Sequence, residues 1–403
     1  MTAEPRGRHG LYAYPWDLPG QQSEGFVAEL RQSGIDSLCL ATAYHAGKFL
    51  RPHGAGSHVY FPEDGTVHCR VRPERYGRIQ PRESEVARDG DPFGLFAGRG
   101  DIGVTAWAVL MHNTRLGMAY PETVVRNAFG DPYWYSLCPA NPDVQDYAVA
   151  LCTDLADRYP VHGLVLESAG WMAYRHGFHH EFALVGANPW LDGMLGLCFC
   201  KHCIAGARQA GIASDALRAR IAARVSAYLA APLDTPEDVG RSWLAFDLVA
   251  DAELGAFLRW RCGVLAGLIA RIRQSVRADA ALFVIPSTQQ PAGQAWLEGA
   301  DFAALAAAAD GLELCLYKPD WSSAVADLEE VRRRAGPRPM RCILRPGPPD
   351  AADEGNFARK VAELTRAGVD GISFYNFGHL RRSHLGWIGR ALAAAKEIQR
   401  ETT

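Results

Sequence analysis

The chain contains no apolar run approaching the ~20 residues of a membrane-spanning helix, and its first ten residues are polar, with no apolar stretch of signal-peptide length. The expectation is a cytoplasmic protein with no membrane partner. Charge of one sign is also lacking: 42 Lys and Arg stand against 45 Asp and Glu, a net charge of -3, and the basic residues are scattered. There is no electrostatic footprint for nucleic acid, and a small neutral or polar substrate fits better. No Gly-x-Gly-x-x-Gly turn follows any predicted strand, which weighs against a dinucleotide-binding doubly wound sheet, so no organic cofactor is expected. Ten cysteines in 403 residues are too sparse for the disulfide framework of a small secreted domain. Most, such as Cys39, Cys315 and Cys342, lie in strand-like apolar runs and read as buried free thiols.

What is present is alternation. Apolar runs at 10–14, 36–42, 103–110, 162–167, 281–286, 312–317, 340–344 and 371–376 are separated by helical patterns. Eight strand-helix units in series are the arithmetic of an α/β (β/α)8 TIM barrel. The length of 403 residues exceeds the ~250 typical of that fold. The excess falls in long insertions in the βα loops after strands 2, 3 and 4, at about 45–100, 112–140 and 168–280, so 1–403 is read as a single barrel domain. Asn141 before Pro142 predicts a capped helix start, and Gly336 and Gly368 predict helix stops.

In such a barrel the chemistry sits at the carboxyl ends of the strands. Those positions read Tyr14-Pro15-Trp16-Asp17, Tyr44-His45, His112-Asn113, Glu167-Ser168, Ser287-Thr288-Gln289, Tyr317-Lys318, Arg345 and Tyr375-Asn376. Aromatics beside carboxylates and amides suit a sugar, whose C–H faces stack on rings while its hydroxyls take hydrogen bonds. The substrate-binding candidates are therefore Trp16, Asp17, Tyr44, His45, His112, Asn113, Trp171, Tyr317, Lys318, Arg345, Tyr375 and Asn376. In an inert mouth the same aromatics would be ordinary end-of-core packing.

Glu167 ends an apolar strand, where desolvation raises a carboxyl toward general-acid duty; its structural alternative is a partner for an arginine. Glycoside hydrolysis normally needs a second carboxyl. Asp320 and Glu313 rank first, followed by Asp17. Glu313 is in phase with Cys315 and Tyr317 but one or two layers deeper in the barrel. Asp17 and Asp320 lie higher, at helix-entry positions where capping alone would explain them.

Two further clusters stand out. His176, His179, His180 and Glu181 follow Trp171 in one loop, at spacings that would bind a metal or serve as donors to sugar hydroxyls. Cys198-Phe-Cys200-Lys-His-Cys203 brings three thiols onto one turn entering a helix, a pattern for structural zinc. Its fourth ligand is sought among Cys152, Cys138, His202 and the loop histidines, with Cys152 placed first.

The span 161–208, a strand ending in Glu, a loop, then Cys-Phe-Cys-Lys-His-Cys opening a helix, resembles the corresponding stretch of glycoside hydrolase family 42 β-galactosidases and of the glycosyl-hydrolase-like barrels related to them. The strand regions 9–14, 107–113 and 138–143 resemble these barrels too. The resemblance implies a (β/α)8 barrel, Glu167 as acid/base, and Cys198, Cys200 and Cys203 with one upstream Cys as zinc ligands. Leu166 stands where the family has Asn, and strand seven ends in Arg345 rather than Glu. The leading expectation is a glycosidase acting on a small oligosaccharide or glycoside. The rivals are a metal-dependent sugar isomerase, epimerase or hydrolase using the histidine-rich mouth, and a carbohydrate-binding barrel without catalysis. The sequence leaves self-association into a homo-oligomer open.

Overall fold

The computed structural model describes residues 9–18, 23–53, 57–176, 178, 183–288 and 292–401. Eight strands carry the architecture: β1 (His9–Ala13), β2 (Ser37–Tyr44), β3 (Gly103–Val109), β4 (Gly163–Glu167), β5 (Ala281–Val284), β6 (Gly311–Cys315), β7 (Met340–Leu344) and β8 (Gly371–Phe374). Each pairs in parallel with the next, and β8 pairs with β1, so the sheet closes on itself as a (β/α)8 barrel. Between or after the strands lie α1 (Ser23–Gln32), α2 (Pro92–Ala97), α3 (Pro142–Arg158), α4 (Ala252–Ser275), α5 (Phe302–Ala308), α6 (Trp321–Ala335), α7 (Glu354–Arg366) and α8 (Arg382–Glu401).

Parallel strands covered on both faces read as continuous apolar runs, and here the period of two sorts them into two layers. Leu164, Leu166, Val284, Leu314 and Phe374 face the helices, within the larger core. Tyr12, Trp107, Val165, Phe283, Cys315 and Ile343 fill the barrel interior. Along β4 the inward set is Val165 and then Glu167, and Val109 of β3 stands opposite Glu167. The carboxylate therefore ends the inward row at the mouth.

The helix boundaries follow local chemistry. Asn141 accepts the Asp143 N–H and Pro142 opens α3. Gly336 and Gly368, at φ of 71° and 76°, follow α6 and α7, where a side chain would be strained.

Between β2 and β3 run the short strand pair Phe49–Leu50 and Val59–Tyr60 and the strand Thr66–Val67, which adds antiparallel to β2. Between β3 and α3 run helix Thr114–Ala119 and the antiparallel pair Val124–Arg126 and Pro132–Leu137. Helices Pro189–Leu195, Lys201–Gln209, Ser214–Leu229 and Glu237–Ala250 lie between β4 and α4. They share a separate apolar core with the Val124–Arg126 pair and the start of α4. No helix among the described residues is long and apolar enough to cross a membrane.

Candidate active site

The mouth is built around a cluster of rings. Tyr14, just beyond β1, stacks on Trp16 with centroids 4.6 Å apart and planes 7° from parallel. Its hydroxyl lies 2.9 Å from that of Tyr375 and 3.2 Å from that of Tyr44, and the latter two are 3.3 Å apart. Three phenols at the ends of β1, β2 and β8 thus form a triangle of mutually hydrogen-bonded hydroxyls. Trp107 packs edge-on against Tyr44 at 4.9 Å. Trp107 is fully buried, and its Nε1 donates to Glu167 Oε2 at 2.7 Å.

Glu167 keeps an opening to the mouth, yet the packing around its carboxyl pushes its pKa up to about 7. The Trp107 hydrogen bond opposes that rise by favouring the ion, and desolvation outweighs it. The charge of Glu167 reaches Tyr44, Tyr317 and Tyr375, which identifies the walls it faces.

A second carboxyl, which the sequence reading did not single out, belongs to Glu298. It ends the 3-10 helix Ala292–Glu298 after β5, half-buried, with Ser287 Oγ 2.9 Å from its Oε1. Burial, with a further contribution from the charge of Glu167, pushes its pKa up to about 8. Its backbone is fixed: Trp171 N–H donates to the Glu298 carbonyl at 3.0 Å. A Cβ at Gly170 would stand 2.0 Å from that same oxygen, so only glycine admits the approach. Two carboxyl groups close enough to influence each other, both titrating near neutrality, can divide acid and base duties between them.

The remaining candidates separate into those at the mouth and those engaged elsewhere. His45 stacks between Tyr44 at 4.3 Å and His112 at 4.0 Å, with His176 5.8 Å beyond His112. Burial pulls the pKa of His45 down to about 4 and also lowers that of His176, so these rings are neutral at pH 7. Tyr317 remains partly open, with the Arg345 guanidinium 4.1 Å from its ring centre. Arg345 in turn is held by Asp350, its Nη2 2.7 Å from Oδ1, so the group that ends β7 is already paired.

Several expectations are corrected. Asp320 is exposed and caps α6, accepting the Ser323 N–H at 2.7 Å and the Ser322 hydroxyl at 2.8 Å. These bonds hold its pKa down to about 2 and tie the carboxylate to the start of α6. Glu313 is buried within the barrel below the mouth, 2.6 Å from Ser373 Oγ. Asp17 is tied to Arg51 at 2.5 Å, although burial still raises its pKa to about 6. Asn113 caps helix Thr114–Ala119 through the Leu116 N–H, and Asn376 accepts the Gly378 N–H; both are buried. Lys318 pairs with Asp327 at 3.2 Å, and Trp171 is covered by Arg261, whose Cζ is 4.5 Å from its ring centre.

The thiol cluster is real, but its fourth member is Cys138, not Cys152. Cys138, Cys198, Cys200 and Cys203 are all buried, with their sulfurs within 4.8 Å of one another. Cys152 lies on the barrel-facing side of α3, in the other core. Sulfur separations from Cys138 are 3.4 Å to Cys203, 3.6 Å to Cys200 and 3.8 Å to Cys198. A tetrahedral zinc with Zn–S of about 2.3 Å requires edges of about 3.8 Å, so the cluster fits that ion. These four form the sole group of three or more converging metal-ligand side chains among the described residues. His179, His180 and Glu181 lie outside the described residues, as does Gln289.

No protein-family model matches the chain, and no curated protein matches it in sequence. Solved structures do. The PgaB (BpsB) glycoside hydrolase domain from Bordetella bronchiseptica is similar over 96% of this chain and 98% of its own, at 13% identity and a TM-score of 0.58. The β-galactosidase from Bacillus circulans sp. alkalophilus matches 98% of this chain at 13% identity and a TM-score of 0.57, this chain spanning 56% of its length. The α-L-fucosidase isoenzyme 2 from Paenibacillus thiaminolyticus matches 97% at 12% identity and a TM-score of 0.54, with 49% of its length spanned. At such identities the likeness is one of fold.

Proposed function

We propose that the protein is a glycoside hydrolase acting on a small oligosaccharide or glycoside. In this reading Glu167 gives its proton to the leaving oxygen as the glycosidic C–O bond breaks. Glu298 is the second carboxyl, acting either as the nucleophile at the anomeric carbon or as the base that takes a proton from the attacking water. The observation that carries the reading is the pair itself: two partly exposed, charge-coupled carboxyls, both pushed up toward neutrality. Because they titrate as a pair, there is a pH range in which they hold a single proton between them. In the free protein that proton rests on Glu298, whose pKa is the higher, and it must pass to the oxygen of Glu167 that Trp107 leaves unbound for Glu167 to act as the acid.

The rest of the mouth suits a sugar. Trp16 and Tyr317 are partly exposed rings, and the hydroxyl triangle of Tyr14, Tyr44 and Tyr375 offers donors and acceptors to ring hydroxyls. Further support comes from the fold neighbours named as a glycoside hydrolase domain, a β-galactosidase and a fucosidase, and from the resemblance of 161–208 to family 42. Zinc held by Cys138, Cys198, Cys200 and Cys203 would be structural, since four thiolates leave no open position for substrate.

The test is turnover of a panel of nitrophenyl glycosides by the wild-type protein, E167Q and E298Q. Hydrolysis of one glycoside that both substitutions abolish is the expected result. Sugar binding with no turnover on any glycoside, unchanged by E167Q, would replace the reading with that of a carbohydrate-binding barrel.

A further inference from the structure

Arg261 is a buried cation with no carboxylate bonded to it among the described residues. It lies on α4, is fully buried, and of its three guanidinium nitrogens only Nη2 has a partner, the Leu297 carbonyl at 3.1 Å. Nε and Nη1 have none among the described residues. A desolvated, half-satisfied guanidinium is costly unless some negative charge lies near it.

The thiol cluster lies in the same core. Trp171 and Leu297, which Arg261 touches, share that core with Cys138, Cys198, Cys200 and Cys203. The packing agrees. One turn earlier on the same face of α4, Phe257 stacks on Phe199, between Cys198 and Cys200, with centroids 5.2 Å apart and planes at 8°. Trp260 packs over Gly206 of the helix that Cys203 enters, where a Cβ would come within 2.6 Å of the indole. As neutral thiols the four cysteines offer Arg261 nothing, whereas four thiolates around one divalent cation leave two negative charges uncancelled.

The other side of Arg261 meets the backbone around Glu298. Its Nη2 holds the carbonyl of Leu297, the residue before Glu298, and its guanidinium lies over Trp171. Trp171 N–H binds the Glu298 carbonyl. Gly299 presses on the Trp171 ring so closely that a Cβ would come within 2.8 Å of it. The backbone on both sides of Glu298 is therefore set by the Arg261–Trp171 pair.

We propose that Arg261 is the buried counter-cation of a tetrathiolate metal centre and also the positioning residue for Glu298, so that metal binding and carboxylate placement are coupled through one side chain. The metal half stands on the thiol cluster alone; the positioning half rests on the glycosidase reading.

The experiment compares full-length wild type, R261M and R261K. Zinc affinity is read by competition with a chromophoric chelator, and the thiolate charge-transfer band is read after cobalt substitution. R261M, which removes the charge but keeps the length, is expected to weaken zinc by about tenfold or more, and R261K to restore it to within about threefold of wild type. Wild-type zinc affinity in R261M would overturn the proposal. Should R261M not fold, hydrogen exchange of the wild-type protein with and without a chelator decides. The expected result is faster exchange on metal removal at Trp171 and at Leu297–Glu298 as well as at the cysteine turn. A response confined to residues 198–203 would overturn the coupling. Both readouts are independent of turnover, so an absence of glycosidase activity leaves them standing, and their failure with activity intact overturns this proposal alone.

Discussion

Replacing Glu167 with Gln should abolish turnover and stabilise the protein, by an amount set by pH. The folded-state pKa of Glu167 is about 7 against an ordinary 4.5, so between those values the folded chain holds a proton that the unfolded chain has released. Stability must fall as pH rises through that window. At about 1.36 kcal/mol per pH unit, the two-site titration gives a penalty of about 1 kcal/mol at pH 5 and about 3 kcal/mol at pH 8. The glutamine side chain would have the same shape, keep an oxygen for the Trp107 N–H, and carry no charge to desolvate. The substitution would also remove the charge that helps push Glu298 up, which adds to the gain at pH 8. Urea denaturation of both proteins at pH 5 and pH 8, beside the glycoside assay, reads the effect directly. The expected result is an inactive variant whose stability advantage grows by about 2.5 kcal/mol or more between the two pH values. An advantage independent of pH, or a loss of stability at both, would show that Glu167 is not held in a desolvated site, and the acid assignment would fall with it.

Trp107→Phe should move the basic limb of kcat/KM upward. A hydrogen bond to a charged acceptor is worth about 1.5–3 kcal/mol, so its loss raises the pKa of Glu167 above 7 by about 1–2 pH units; a limb that stays put or moves down refutes the assignment. Glu298→Gln should lower kcat by about 10²–10⁴-fold, the range of acid–base or nucleophilic assistance, while leaving folding by circular dichroism intact; near-wild-type kcat removes Glu298 from the reaction. Cys138→Ser should lose zinc by atomic analysis and lower the thermal midpoint, whereas Cys152→Ser should retain the metal. The reverse pattern would contradict the sulfur geometry.

The legible part of the molecule was that governed by period. Eight apolar runs, each followed by a helical pattern, specify a barrel because only strands buried on both faces read as continuous hydrophobic stretches. The same period of two placed Glu167 inward at the end of its strand and Glu313 inward but lower, and the structure has them so disposed. Cap signals carried equal weight. Asp320 before Trp321-Ser322-Ser323 is a helix start, and the backbone N–H it accepts already accounts for the residue. Glu298 escaped because it is not at a strand end. It ends a 3-10 helix after β5 whose path is set by tertiary contacts: the Leu297 carbonyl on Arg261, the Glu298 carbonyl on Trp171, and Gly299 at φ of 83°. Arg261 and Trp171 belong to elements far away in the chain, and no local pattern announces that they meet. The fourth thiol was missed for the same reason. Cys152 and Cys138 are both upstream cysteines, and the choice between them depends on a helix facing one core and a strand end facing another. Both misses concern a single region, in which the thiol cluster, Arg261 and Glu298 succeed one another. The second carboxylate therefore depends on elements that read individually as structural, and a search confined to strand ends would miss it in any barrel so built.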